Sequence, residues 1–208
     1  MKTKLFWLLT LIAIPMMMVS CYQGASDQEL KNYVNALLPY YPYTIEDEFV
    51  FVNESTGERW EARPYDYYRD GQFPYTHTWS CHESMASCFG DWSAEVEAIL
   101  SADSLTRRMY GTGQICTHIA YCGGGPMVDW HIKLIRSSGD YIDGGSRTDC
   151  TKDEILTLLT DTILLPIAYH DTTNTIISAE GAYARIVRGE GLTDFSADGK
   201  TIWRRVKK

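Results

Sequence analysis

The chain has 208 residues, of which 45% are hydrophobic, 12% aromatic and 22% charged. That balance is globular and excludes collagen, coiled-coil and wholly disordered chains. The formal net charge is −8, which argues against nucleic acid as a partner. Lys2 and Lys4 fall within residues 1–20, and the remainder carries 17 basic against 27 acidic side chains. Its length suits one domain with a core of its own.

The first twenty residues have the pattern of an export signal. Lys2 and Lys4 make a positive start, and Leu5 to Val19 is apolar apart from Thr10 and Pro15. This run is shorter than the roughly 20 residues of a membrane span. It ends in Met18-Val19-Ser20-Cys21. The tetrapeptide resembles the lipobox of bacterial lipoproteins, with Met18 where leucine is usual. The resemblance implies a diacylglycerol on the Cys21 thiol, cleavage before Cys21, and a membrane partner engaged through acyl chains. Tyr22 follows rather than the aspartate that commonly retains such proteins in the inner membrane. Outer-membrane placement in a two-membrane envelope is therefore the expectation. Residues 1–20 are read as signal peptide, 21–26 as a lipidated tether, and 27–208 as one domain.

The domain opens with a helix near 27–38. Ser26 and Glu29 form a capping-box pair, Leu30, Tyr33, Val34, Leu37 and Leu38 make one apolar face, and Pro39 closes the segment. Phe49 to Val52, a turn through Asn53 to Glu58, and Trp60 with Ala62 among charged neighbours predict a hairpin. Val96, Ala98 and Leu100 alternate as in a strand. Residues 114–121 and 128–136 predict a long hairpin around Gly123-Gly124-Gly125-Pro126. Thr151 and Glu154 form a second capping box, predicting a short helix over 151–160 with Ile155, Leu158 and Leu159 buried. Strands are expected at 163–168, 174–178, 182–188 and 200–206, with a tight turn at Asp198-Gly199. The expected class is mainly β, a single antiparallel sandwich or barrel with an N-terminal helix and one inserted short helix.

Leu38-Pro39-Tyr40-Tyr41-Pro42-Tyr43, then Asp47 to Phe51 and Asn53 to Gly57, resemble the start of small β-rich envelope lipoproteins of Bacteroidetes bacteria. The resemblance spans about thirty residues plus the leader; it implies envelope location and a β-rich fold, but no activity. Asp103-Ser104-Leu105, Asp161-Thr162-Ile163 and Asp171-Thr172-Thr173 look like the O-glycosylation acceptor pattern of exported proteins in those bacteria. Capping and turn formation explain Asp161 and Asp171 equally well.

Beyond Cys21 the chain holds Cys81, Cys88, Cys116, Cys122 and Cys150. In an oxidising envelope the expectation is two disulfides and one free thiol. If 116–122 is one extended strand, its ends lie about 20 Å apart, too far for a bridge that needs about 7 Å. Cys81 and Cys88 flank a loop-like segment and are the favoured pair. His77, Cys81, His82, Cys88, Cys116 and His118 are residue types that suit zinc, with Cys116 and His118 on one strand face. No Cys-x-x-Cys pair occurs and export favours oxidation, so no metal and no cofactor is expected. His82-Glu83 starts like a zinc-protease motif but Ala86 replaces the second ligand. Asp194 to Gly199 matches half an EF-hand loop, but Arg205 stands where a bidentate carboxylate belongs. No Gly-x-Ser-x-Gly occurs. Gly111-Thr112-Gly113 lacks its third glycine, Cys116 standing there. Gly123 to Gly125 serves a hairpin loop better than an anion nest. No carboxylate pair stands out for glycoside cleavage, and no catalytic residue is assigned.

Aromatic residues form the most suggestive feature. Tyr40, Tyr41 and Tyr43 precede the first hairpin. Tyr65, Tyr67, Tyr68, Phe73, Tyr75 and Trp79 crowd a segment rich in Pro, Asp, Arg and Gly. Loop aromatics offer rigid contact area; the competing reading is that they pack over the sheet as core. The expected function is non-catalytic binding or scaffolding, with a glycan or an envelope protein as partner. The binding-surface candidates are Tyr65, Tyr67, Tyr68, Tyr75 and Trp79. A small hydrolase with a carboxylate or histidine site, and a thiol- or metal-handling protein, are the alternatives.

Overall fold

The computed structural model describes residues 25–67, 71–80, 92–101, 103–121, 125–177 and 179–206, without the side chains at 79, 80, 104, 106 and 110. The leader with Cys21, together with Tyr68, Cys81, His82, Cys88, Cys122 and the Trp79 side chain, lies outside the described residues.

Helix α1 spans Asp27–Leu37. Its capping box is complete: Glu29 N–H donates to Ser26 Oγ over 3.2 Å, and the Glu29 carboxylate accepts from Ser26 N–H over 2.7 Å. Those Ser26 hydrogen bonds hold the Glu29 carboxyl below its ordinary value. The spacing places Leu30, Tyr33, Val34 and Leu37 on one buried face. A 3-10 turn, Leu38–Tyr40, carries Pro39 and ends the helical segment.

The rest is mainly strand: β1 (Phe49–Asn53), β2 (Arg59–Pro64), β3 (Tyr75–Ser80), β4 (Trp92–Ser101), then helix α2 (Ser104–Tyr110). There follow β5 (Gly113–Tyr121), β6 (Pro126–Ile135), β7 (Tyr141–Asp149), β8 (Thr162–His170), β9 (Ile176–Ile177), β10 (Tyr183–Val187), β11 (Gly191–Ser196) and β12 (Trp203–Arg205). Ten of them close an antiparallel barrel in the order β1-β2-β4-β5-β6-β7-β8-β10-β11-β12, with β12 pairing back onto β1. This decides for the barrel over the sandwich. β3 lies beside β4 beyond the end of β2, and β9 beside the end of β8.

Alternation fills the barrel. Trp92, Ala94, Val96, Ala98 and Leu100 of β4, Ile115 and Ile119 of β5, and Val128, Trp130, Ile132 and Leu134 of β6 are buried. Phe51, Trp60, Phe195 and Trp203 form an aromatic cluster, with Phe195 stacked on Trp203 and edge-on to Phe51 and Trp60. β7 contains Gly144 and Gly145 where its backbone lies close against β6 and β8. A Cβ at 145 would overlap the Trp130 carbonyl oxygen, and one at 144 the Pro166 carbonyl oxygen. Only glycine permits that approach.

The N-terminal segment closes one end. Tyr33 stacks on Trp92 at 5.6 Å and Tyr40 meets Trp130 edge-on at 5.2 Å. Tyr40 O–H donates to the Thr160 carbonyl over 2.7 Å, Tyr41 shares a 2.6 Å hydrogen bond with Thr117 inside the barrel, and Leu192 N–H donates to the Tyr43 hydroxyl over 2.5 Å. Tyr40, Tyr41 and Tyr43 are therefore core, and burial pushes the Tyr43 phenol up to about 12.

Five elements differ from expectation. Half of the second capping box forms, with Glu154 accepting from Thr151 N–H and O–H over 2.8 Å each while Glu154 N–H donates to the Thr151 carbonyl, and it leads only into a single 3-10 turn, Ile155–Leu158. One turn between two strands does not repay helix nucleation, and β-branched Thr157 and Thr160 do not help. α2 was not expected. β7 was missed because Gly144-Gly145 reads as a turn, and β11 because Thr193 and Asp194 interrupt its apolar pattern. β3 lies within the aromatic segment, where His77 and Thr78 between Tyr75 and Trp79 give no apolar alternation.

Candidate functional site

Three features of the described residues carry polar chemistry: the barrel end opposite α1, the outer face of β3 to β7, and the aromatic loop between β2 and β3.

The chain enters at the α1 end, where Glu29 pairs with Lys152 over 3.3 Å in the β7–β8 connection. The opposite mouth is ringed by residues 54–58, α2, and residues 136–140, 171–177, 179–182 and 197–202. The 136–140 turn folds over it. Arg136 lies over the rings of Trp60 and Trp203, 5.0 and 5.3 Å from their centroids. It pairs with Glu58, and with Asp140 over 3.3 Å. Asp140 is buried and also accepts from Ser138 and Tyr169 O–H. Burial works against the Arg136 charge, but Glu58 and Asp140 outweigh it and raise its pKa. Beside this turn lies a cavity of about 260 Å³ lined by Arg59, Trp60, Glu61, Asp103, Arg136 and Ser137.

A second cavity, of about 490 Å³, lies at the α1 end among Tyr43, Glu46, Asp47, Phe49, Glu190 and Arg205. Much of its polar wall is already engaged. Asp47 accepts from Thr44 N–H over 2.6 Å, Glu48 pairs with Arg63 over 3.1 Å, and Arg205 donates to the Glu190 carbonyl over 2.5 Å.

On the outer face, strand register aligns His77, Glu95, His118 and Asp129 in one row, and Glu97, Cys116 and His131 in the next. His118 Nε2 pairs with Glu95 over 2.9 Å, and His131 Nε2 approaches Asp143 to 3.6 Å. The Glu95 hydrogen bond raises the His118 pKa against the pull of burial. Burial, and next the charge of Glu95, raise Glu97, with His77 and His118 opposing. Burial first, then Glu95, Glu97 and Asp129, push the Cys116 thiol up to about 12. Cys116 is thus a neutral thiol at physiological pH and a poor nucleophile. Of the zinc-type residues, the fold brings His77, Cys116 and His118 to one face. However, no three described His, Cys, Asp or Glu side chains form a group able to hold a metal ion. Cys116 and Cys150 are free thiols; Cys81, His82, Cys88 and Cys122 lie outside the described residues.

The aromatic segment interrupts the strand course between β2 and β3. The Tyr75 hydroxyl fixes it from below: it accepts from Tyr67 N–H over 2.6 Å and lies 3.0 to 3.1 Å from Asp66 Oδ1 and the Tyr65 carbonyl. Tyr75 is buried, so it anchors the loop and is not part of a surface. Tyr67 is 60% exposed. Tyr65 is partly buried, with Arg107 of α2 4.0 Å above its ring. Trp60 and Arg136, which shape the mouth, were not singled out from sequence as site residues, because a tryptophan on a predicted strand and an arginine after one carry no local signal.

The remaining motifs resolve into structure. Asp171 Oδ1 accepts from Thr173 N–H and Thr175 N–H over 2.9 Å each, a turn of its own making. Asp198 accepts from Lys200 N–H and Thr201 N–H, and Asp194 is buried against Tyr183, Thr193 and Arg185. Both carboxylates of the half EF-hand are spent locally. Compared with protein-family models, curated proteins and solved structures, the chain matches none.

Proposed function

We propose that this is a lipid-anchored protein of the bacterial outer membrane that binds a glycan or an envelope protein at the barrel end remote from its anchor. The observation that carries the reading is the polarity of the barrel. Three residues separate Cys21 from Ala25, so the four Cα–Cα steps reach about 14 Å at full extension, and Ala25 with α1 sits at the closed end. An acylated Cys21 then holds that end at the bilayer and turns the opposite mouth outward. Two or more acyl chains make such anchoring stable, where one is marginal. The outward end displays Leu105 and Met109 of α2 and Ile176 and Ile177 of β9, all exposed. The Tyr65–Tyr67 loop beside α2 adds a solvent-facing ring on a backbone held by Tyr75. Such pre-ordering lowers the entropic cost of binding.

The test has two parts. Cys21→Ala should abolish acylation and lipoprotein-type cleavage, read by N-terminal mass and detergent-phase partition; an unacylated wild-type protein refutes the anchor. The mature chain, probed against an array of bacterial glycans and against envelope extracts with crosslinking, should retain a partner. That retention should fall in Tyr67→Ala while thermal stability stays within about 0.5 kcal/mol. Retention unchanged by Tyr67→Ala, or none at all, refutes the binding role.

A further inference from the structure

The cavity at the outward mouth combines groups that select a particular ligand chemistry. Its lining includes two arginines, Arg59 and Arg136, two acidic residues, Glu61 and Asp103, and Ser137. The two signs balance, so the wall has no net preference for an anion or a cation. Both arginines are engaged by carboxylates. Arg59 Nε donates to Glu61 over 2.7 Å, and Arg136 is held over Trp60 and Trp203 by Glu58 and Asp140. A guanidinium has five N–H donors and a carboxylate two oxygens. Arg59, Glu61 and Arg136 therefore keep hydrogen-bonding capacity beyond their protein partners. Donor and acceptor residues thus share one half-open space whose lining includes the buried Trp60.

A polyhydroxylated ring matches such a wall, because every hydroxyl both donates and accepts. A simple ion would leave half of the wall unpaired, and an apolar ligand all of it, at the cost attached to desolvated polar groups. We propose that this cavity is a subsite for one ring of a neutral sugar. Glu61 and Asp103 accept from its hydroxyls, and Arg59 and Arg136 donate to its oxygens. The inference rests on the glycan branch of the proposed function and narrows it: the barrel mouth, not only the tyrosine loop, reads the saccharide.

The experiment is calorimetric titration of the mature chain with neutral monosaccharides and their short oligomers, including glucose, galactose, mannose and N-acetylglucosamine, with tryptophan fluorescence as a second readout. At least one should bind saturably. Glu61→Gln and Asp103→Asn keep size and remove the acceptor charge at exposed positions, so both should fold with unchanged melting temperature and weaken binding about tenfold or more. Saturable sugar binding that is unchanged in both variants overturns the subsite. Glycan binding that depends on Tyr67 but is indifferent to Glu61 and Asp103 also overturns it and leaves the proposed function standing. Absence of any glycan binding overturns the subsite together with the glycan branch.

Discussion

The hydrogen bond between Tyr41 and Thr117 offers the sharpest test of how the N-terminal segment is built into the barrel. The two hydroxyls meet at 2.6 Å, 76 positions apart in sequence, and both side chains are buried. Tyr41 has its phenol pushed well above the ordinary tyrosine value, chiefly by burial. Thr117→Val preserves shape and strands the phenol in the core. Leaving a buried polar group unpaired costs about 1–3 kcal/mol, whereas removing both partners is close to neutral. Thr117→Val should therefore lose about 2 kcal/mol. Tyr41→Phe should lose somewhat less, because a threonine hydroxyl can rotate toward a backbone carbonyl. The double variant should lose less than Thr117→Val alone. For a domain of this size about 2 kcal/mol corresponds to a fall of about 4–8 °C in Tm. Urea unfolding at equilibrium, with calorimetry to check two-state behaviour, measures all four species of the cycle. Strict additivity, or a neutral Thr117→Val, would refute the reasoning: it would mean that Tyr41 does not enter the barrel as described.

Three further outcomes follow from the same geometry. Glu95→Gln should bring the His118 pKa, read by NMR, down from its raised value toward or below the ordinary one near 6.5, because the largest upward cause is removed and burial remains. Since the folded value is the higher, the ion pair stabilises fully below about pH 6.5 and its contribution fades as pH rises through the folded pKa. With His118 43% exposed the contribution stays below about 1 kcal/mol, and a wild-type His118 titrating at or below 6.5 contradicts it. Gly145→Ala should cost about 3 kcal/mol or more in thermal denaturation, because its Cβ overlaps the Trp130 carbonyl; a neutral substitution would show that β7 does not approach β6 so closely. Non-reducing mass mapping of the exported chain should find Cys81 bridged to Cys88 and leave Cys116 alkylated only after unfolding, whereas five free thiols would exclude the bridge.

Local chemistry was legible in the amino-acid order. The Ser26–Glu29 box and the apolar face of α1 need only neighbours three and four residues away. The hairpins β1–β2 and β5–β6 announce themselves by alternation and by turn residues between. The same local reading failed where tertiary demands reverse the meaning of a residue. Gly144-Gly145 signals a turn in isolation, but here it lets β7 pass against two carbonyl groups. The Thr151–Glu154 pair promised a helix, yet only a single 3-10 turn, Ile155–Leu158, forms between β7 and β8. Tyr40, Tyr41, Tyr43 and Tyr75 could not be told from a binding surface, because a tyrosine's composition is the same whether its hydroxyl meets water or a buried threonine. Closure was likewise hidden: β12 pairs with β1 across some 150 residues, and no periodicity encodes which strand meets which. The mouth follows from that closure. Trp60, Asp103 and Arg136 lie far apart along the chain and share a cavity only because the ring brings the starts and ends of β2, β4 and β6 to one end. Sequence alone set α1, the hairpins β1–β2 and β5–β6, and the expectation of an anchored, exported chain; the pairing of distant strands decided which side chains face one another, since that depends on long-range contacts that no local pattern records.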